Sequence, residues 1–217
     1  MIAQFGPDTA LLLIDVQKGV HVLDHWGGPT GRMNNPACED NLRALLAAFR
    51  AAGRVVAFTR HDSIEPDSPL KFTLPTGAQL PGLETAPGDI VVEKSVNSGF
   101  IGTDLELQLR RARISRLVIA GYFTNFCVET TTRMAGNMGF DTYLAEDACA
   151  TTNRITLDGT DHDPELVHAM SVANLHGEFC TALSTADALA LLSADAPTLS
   201  RAQGNEASSA KPERRIA

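Results

Sequence analysis

Apolar residues along this chain follow two rhythms. Short unbroken runs appear at Ala10-Leu11-Leu12-Leu13-Ile14, Val55-Val56-Ala57-Phe58, Ile90-Val91-Val92, Leu117-Val118-Ile119-Ala120 and Tyr143-Leu144-Ala145. A continuous run of that length predicts a strand buried on both faces, as in a parallel sheet. Between the runs lie one-sided stretches. Residues 37–52 carry Leu42, Leu45, Leu46 and Phe49 on one helical face and stop at Gly53. Residues 104–112, with Leu105 and Leu109 facing inward, predict a second helix, and residues 128–135 continue as a third. A fourth opens at Pro164, where a first turn tolerates proline, and runs to about Leu175. Residues 178–183 read as a last strand, and Ser184 or Thr185 caps a helix through Leu192. The segments 19–36, 61–88 and 151–163 read as loops, the second holding Pro66, Pro69, Pro75, Pro81 and Pro87.

Strands alternating with helices predict an α/β protein: a three-layer, Rossmann-like fold with a mostly parallel sheet of about six strands and helices on both faces. Residues 1–194 form one domain in this reading. Residues 195–217 turn to Ser, Ala, Pro, Gly, Arg and Glu, too poor in apolar surface for a core, and are expected to be a disordered tail.

Charge and cysteine content narrow the class. A net charge of −8 argues against a nucleic-acid partner, which calls for basic clusters. Cys38, Cys127, Cys149 and Cys180 are scattered, with no CxxC pair, and fit free thiols in a reducing compartment. No stretch approaches the ~20 apolar residues of a membrane span. The start, Met1-Ile2-Ala3-Gln4-Phe5, shows no basic segment or cleavage pattern. A cytoplasmic protein acting on small molecules is the expectation. No glycine-rich phosphate fingerprint is present, so no cofactor is expected.

Three polar residues sit at predicted strand ends: Asp15, Lys94 and Cys127. Gly121 ends one strand, and the next helix places the Cys127 thiol in its first turn, where backbone N–H groups and the helix dipole favour a thiolate. Ligands in open α/β sheets gather at that edge. If the strands are neighbours, a thiol there gives its proton to a carboxylate and attacks an acyl carbon, with the ammonium holding the carboxylate. Taken singly, each has a plainer reading. Asp15 can cap a loop, Lys94 can be solvated, and Cys127 can be a small buried filler.

The segments Leu11-Leu12-Leu13-Ile14-Asp15-Val16-Gln17, Val92-Glu93-Lys94-Ser95 with Phe100, Gly102, Thr103 and Leu105, and Gly121-Tyr122-Phe123-Thr124-Asn125-Phe126-Cys127-Val128 resemble the isochorismatase-like cysteine hydrolases. That superfamily includes nicotinamidases, N-carbamoylsarcosine amidases, ureidoacrylate and biuret amidohydrolases, and isochorismatases. The resemblance runs from about Asp8 to Leu192. It implies that Asp15 is the general base, Lys94 its charged partner and Cys127 the nucleophile. It also implies a cis peptide between Tyr122 and Phe123, with the backbone N–H groups of Phe123 and Cys127 aimed at an oxyanion. The implied reaction cleaves a C–N bond in a small amide, ureide or carbamoyl compound through a thioester. Two alternatives stay open: vinyl-ether hydrolysis with Asp15 as acid, and a non-catalytic member of the fold. Relatives are commonly dimers or larger, so a homo-oligomer, dimer or tetramer, is expected.

Nicotinamidases also hold a divalent metal through an Asp-x-His pattern and a second His. Here the stretch reads Thr59-Arg60-His61, and no further His follows until His162, so no metal is expected. His61 contacts substrate or makes a structural hydrogen bond. Trp26, Phe100 and Phe123 are candidates to line the pocket, with a subunit interface equally open for Trp26. Asn125 binds substrate or holds the nucleophile's turn. Arg133, His168 and His176 read as helix-face residues, and Cys38, Cys149 and Cys180 as structural.

Overall fold

The computed structural model describes residues 4–193, and the expected tail lies outside them. The first apolar run forms β1 (Thr9–Ile14), and all six of its residues are buried. Successive side chains of a strand point to opposite faces, so both faces of β1 are covered. Each of Leu11, Leu12, Leu13 and Ile14 then contributes about 1.5–3 kcal/mol relative to an exposed position. After β1 come α1 (Leu23–Gly27), α2 (Cys38–Ala51), β2 (Val55–His61), β3 (Ile90–Lys94), α3 (Leu105–Arg111) and β4 (Arg116–Tyr122). A π-helical turn, Thr124–Val128, leads into α4 (Glu129–Asn137). Then follow β5 (Asp141–Ala150), β6 (Arg154–Ile155), β7 (Asp161–His162), α5 (Pro164–Leu175), β8 (Thr181–Leu183) and α6 (Thr185–Ser193).

Six strands form one parallel sheet in the order β3-β2-β1-β4-β5-β8. Helix α2 buries Leu42, Leu45, Leu46 and Phe49 against the sheet, as their spacing requires. Glu39 and Asp40 in its first turn and Arg50 in its last suit the helix dipole. The chain runs outward through β1, β2 and β3, then crosses back to lay β4 on the other side of β1. Strand order therefore reverses between β1 and β4, which opens a crevice at the carboxyl ends. Register brings those ends level: Ile14 pairs with Thr59 on one side and Gly121 on the other, and His61 pairs with Lys94.

Several boundaries differ from the sequence expectation. Strand β5 continues to Ala150, past the charged pair Glu146-Asp147 that breaks its apolar run. The ladder survives because a bulge between Ile119 and Gly121 shifts register, so that Gly121 pairs with Cys149. Segment 151–163 holds an antiparallel ribbon of β6 and β7, and segment 19–36 holds α1 between two 3-10 turns. Both were too polar and too short to show periodicity. Strand β8 is only three residues, shorter than the apolar pattern suggests.

Gly121 marks the tightest point of the switch. Its φ is +131°, and a Cβ there would lie 2.2 Å from the Ile14 carbonyl oxygen. Gly121→Ala is expected to cost on the order of 2–4 kcal/mol, from backbone strain and overpacking together. Gly53→Ala, at φ +62° but with open space around it, should cost about 1 kcal/mol. Urea unfolding midpoints of the two variants check this, and equal costs would refute the steric account.

Candidate active site

Asp15 follows β1 directly, with φ of +49°, in the left-handed region that aspartate tolerates better than most residues. Its backbone N–H faces Thr59, and its carboxylate turns into the crevice between β1, β2 and β3. Lys94 Nζ donates to Asp15 Oδ2 at 2.6 Å, and Thr59 Oγ1 donates to Asp15 Oδ1 at 2.6 Å. Both side chains of the ion pair are sealed from solvent, Lys94 at 0% and Asp15 at 1% exposure. The ammonium also faces His61 Nδ1 at 2.9 Å and the Val96 carbonyl at 3.1 Å. Its three hydrogens thus all have acceptors, as a buried charge requires.

Cys127 arrives from the far side of the switch, on the π-helical turn after β4. Its Sγ lies 3.7 Å from His61 Nδ1 and 3.9 Å from Asn97 Oδ1. The ligand atoms of Asp15, His61 and Cys127 all lie within 4.8 Å of one another. The peptide joining Tyr122 and Phe123 is cis. The Phe123 carbonyl accepts hydrogen bonds from the N–H groups of Phe126 and Val128, which fixes the turn. One acid, one amine and one thiol, distant in sequence, meet in space.

Electrostatics sort their proton states. Burial pushes the Asp15 carboxyl up, but the Lys94 ammonium, which lies against it and donates to it, outweighs this and leaves a pKa of about 2. Burial pulls the Lys94 ammonium down, yet the Asp15 carboxylate overrides it and the value ends raised. Burial pushes the Cys127 thiol well up, the Asp15 charge adds to this, and Lys94 opposes it only in part. Burial and the nearby carboxylate both act against the thiolate expected at a helix N-terminus. The resting site is a carboxylate, an ammonium and a neutral thiol.

A cavity of about 610 Å³ opens over the thiol. Asp15, His61, Trp26, Phe123 and Cys127 line it, together with Phe126 and Arg154, which the sequence did not single out. The Trp26 ring rests against that of Phe123 at 4.9 Å, and its indole N–H donates to the Gly19 carbonyl. Of the four free, buried cysteines, Cys127 alone lines this cavity.

The isochorismatase domain model matches residues 9–187. The chain belongs to the isochorismatase family. It is 38% identical over 176 residues to the isochorismatase family protein YrdC of Bacillus subtilis, covering 81% of this chain and 91% of that one. A putative hydrolase of the family from Chromobacterium violaceum superposes with a TM-score of 0.80 at 43% identity, covering 87% of this chain and 95% of that one. The ureidoacrylate amidohydrolase RutB of Variovorax paradoxus is 29% identical over 178 residues, covering 68% of this chain and 70% of that one. As an isochorismatase-family hydrolase, the chain acts on small substrates. Among the described residues, no helix is long and apolar enough to cross a membrane.

Some residues picked out from the sequence stand elsewhere in this family fold. Phe100 does not line the cavity: it is buried, its ring stacked on Phe140 at 6.0 Å. Asn125 does not line it either, since its Oδ1 accepts from Thr151 Oγ1 at 2.5 Å and ties the turn that carries Cys127 to the end of β5, the second of the two roles its position suggested. His168 is more than a helix-face residue, because its Nδ1 meets Thr124 Oγ1 at 2.9 Å and its Nε2 meets Glu146 at 3.1 Å. Gln17, quoted in the first motif without a role, clamps β2: its amide donates to the His61 and Gly77 carbonyls and accepts from the His61 N–H.

The spacing of Asp15, His61 and Cys127 suits a metal by distance alone. However, the Lys94 ammonium already bonds two of the three, and Thr59, where the metal-binding relatives carry Asp, spends its hydroxyl on Asp15. A divalent ion would meet a fixed positive charge. The donor set does not fit one.

Lys94→Met leaves the Asp15 carboxylate buried and unpaired, and should destabilise the fold by about 3–5 kcal/mol. Adding Asp15→Asn should recover part of that loss, as denaturant titration of the four-member cycle would show; strict additivity would refute the pairing. Because the Asp15 pKa is lowered from 3.8 to about 2, its stabilisation holds above about pH 4 and fades as pH falls toward 2. Iodoacetamide should label Cys127 first, and the raised thiol pKa predicts a rate still climbing from pH 7 to about 10. A plateau near neutrality, read by peptide mass spectrometry, would contradict the neutral resting thiol.

Proposed function

We propose that this chain is a metal-independent cysteine hydrolase that cleaves the C–N bond of a small amide, ureide or carbamoyl compound through a thioester. The observation that carries the reading is the buried Asp15–Lys94 pair beside a thiol that faces a cavity. Cys127 Sγ attacks the carbonyl carbon as Asp15 takes the thiol proton. Sulfur becomes far more acidic as its bond to carbon forms, so a carboxylate of low basicity receives the proton only at that moment. The backbone N–H groups of Phe123 and Cys127 hold the developing oxyanion. Collapse breaks the C–N bond, and Asp15 returns the proton to the departing nitrogen. Asp15 then takes a proton from water, hydroxide attacks the thioester carbon, and sulfur leaves and is reprotonated. Lys94 keeps Asp15 oriented and ionised between these transfers.

Similarity to a ureidoacrylate amidohydrolase supports amide chemistry. The vinyl-ether alternative needs Asp15 to donate a proton from rest, and an acid held at about 2 is ionised at neutral pH. An intact acid, amine and thiol set disfavours a non-catalytic member. The four free cysteines support a reducing, cytoplasmic setting. We take the working form as a homo-oligomer: Ile155, Leu157, Leu166 and Met170 are exposed large apolar residues around two shallow hollows that share His162.

Cys127→Ala should lower ammonia or amine release from a panel of small amides, ureas and carbamates by about 10,000-fold or more while the fold persists. Acid-quenched wild type should carry an acyl mass on the Cys127 peptide. Full activity in Cys127→Ala would overturn the thioester route and favour vinyl-ether hydrolysis.

A further inference from the structure

Arg154 opens β6, on a segment whose polar composition gave the sequence reading no reason to notice it. Its side chain lines the catalytic cavity. One guanidinium nitrogen donates to the Trp26 carbonyl at 3.1 Å, and its central carbon stands 4.9 Å from the centre of the Phe126 ring. The group is thus held by an aromatic face and a backbone oxygen. Neither neutralises it, and no ion pair joins Arg154 to any carboxylate among the described residues. The other permanent cation at the site, Lys94, is spent on Asp15. Glu65 also borders the cavity, but on an exposed stretch at its mouth and outside ion-pair distance of the guanidinium.

The wall that carries Arg154 is built to stay in place. Next to it, buried Asn153 donates to the Gly27 carbonyl at 2.9 Å and to Asp161 at 2.7 Å, and accepts from the Arg32 N–H. This staples the β6–β7 ribbon to the end of α1, the short helix that bears Trp26. A half-buried guanidinium with donors to spare, fixed on a braced wall, is a receptor for a planar anion. The aromatic surfaces of Trp26, Phe123 and Phe126 lie on the same cavity wall system and suit an apolar or planar linker.

We propose that Arg154 is a specificity-determining residue that binds a carboxylate at the end of the substrate remote from the scissile C–N bond. The substrate class is then a small amide or ureide that is also a carboxylic acid. This rests on the hydrolase reading, and the test separates the two.

The probes are monoamides of three- to five-carbon dicarboxylic acids, each matched to its uncharged diamide. Wild type should favour the acid in kcat/KM by about 10–100-fold, the worth of a charge-assisted hydrogen bond. Arg154→Gln should collapse that ratio toward one, mainly through KM, while Arg154→Lys, which keeps charge but not the planar fork, should retain part of it. A ratio near one in wild type, or a ratio that survives Arg154→Gln, would overturn the assignment. Should neither these probes nor the wider panel of amides, ureas and carbamates release ammonia or amine, the hydrolase reading fails, and the carboxylate site is judged by protection of Cys127 from iodoacetamide. Protection by the acids in wild type and its loss in Arg154→Gln supports it; equal protection by the diamides overturns it.

Discussion

A single buried ion pair organises this molecule. Asp15 and Lys94 come from strands that are not adjacent, with β2 between them, so their contact at 2.6 Å requires all three strand ends to stand level. Charges so enclosed are costly unless every hydrogen and lone pair is used. Here Thr59 and His61, both on β2, supply the missing partners from the strand in between. The same pair sets the proton states of its surroundings. Asp15 is ionised because Lys94 is there, and Cys127 keeps its proton partly because Asp15 is ionised.

The sheet makes that arrangement possible, and a backbone contact makes the sheet possible. Strand order reverses between β1 and β4, and the reversal leaves room for a site only because Gly121 lets β4 pass close to the Ile14 carbonyl. Beyond it the chain turns through Thr124–Val128 and presents the thiol from the opposite side. The turn is anchored at several points: Thr124 to His168, Asn125 to Thr151, and the Phe123 carbonyl to two N–H groups. Reactive groups held from independent elements hold their geometry only if each element is itself tied down.

The strands and helices could be read from the chain because each apolar run or face had to be buried in one way. The six-strand parallel order follows the resemblance as well as the alternation. The joint placement of Asp15, Lys94 and Cys127 was legible as three strand ends, since topology carries strand ends to one edge. What stayed hidden depends on side-chain reach across loops. Phe100 is aromatic and near a motif, yet it turns to Phe140; Asn125 is polar and beside the thiol, yet its partner lies on the end of β5. Arg154 and Asn97 sit in segments with no periodicity, and nothing local says which way they face. Thr59 was legible as a missing metal ligand. Its positive role, a hydroxyl on the Asp15 carboxylate, needed the register of β1 against β2.

The neutral thiol bears on how such a site works. A thiolate at rest reacts with any electrophile or oxidant that enters, whereas a thiol held protonated by burial and by a carboxylate is quiet until something raises its acidity. Within the proposed reaction, that something is the carbonyl itself, since bond formation at sulfur releases the proton. Reactivity is then tied to a substrate seated well enough to press its carbonyl on Sγ. Seating requires contacts away from the reacting atoms, because a small amide offers few near them. A cation fixed on the cavity wall, the role proposed for Arg154, would supply such a contact outside the set of Asp15, Lys94 and Cys127. Selectivity and restraint are in this view one property: the cavity wall decides which molecule stays long enough to make the sulfur acidic.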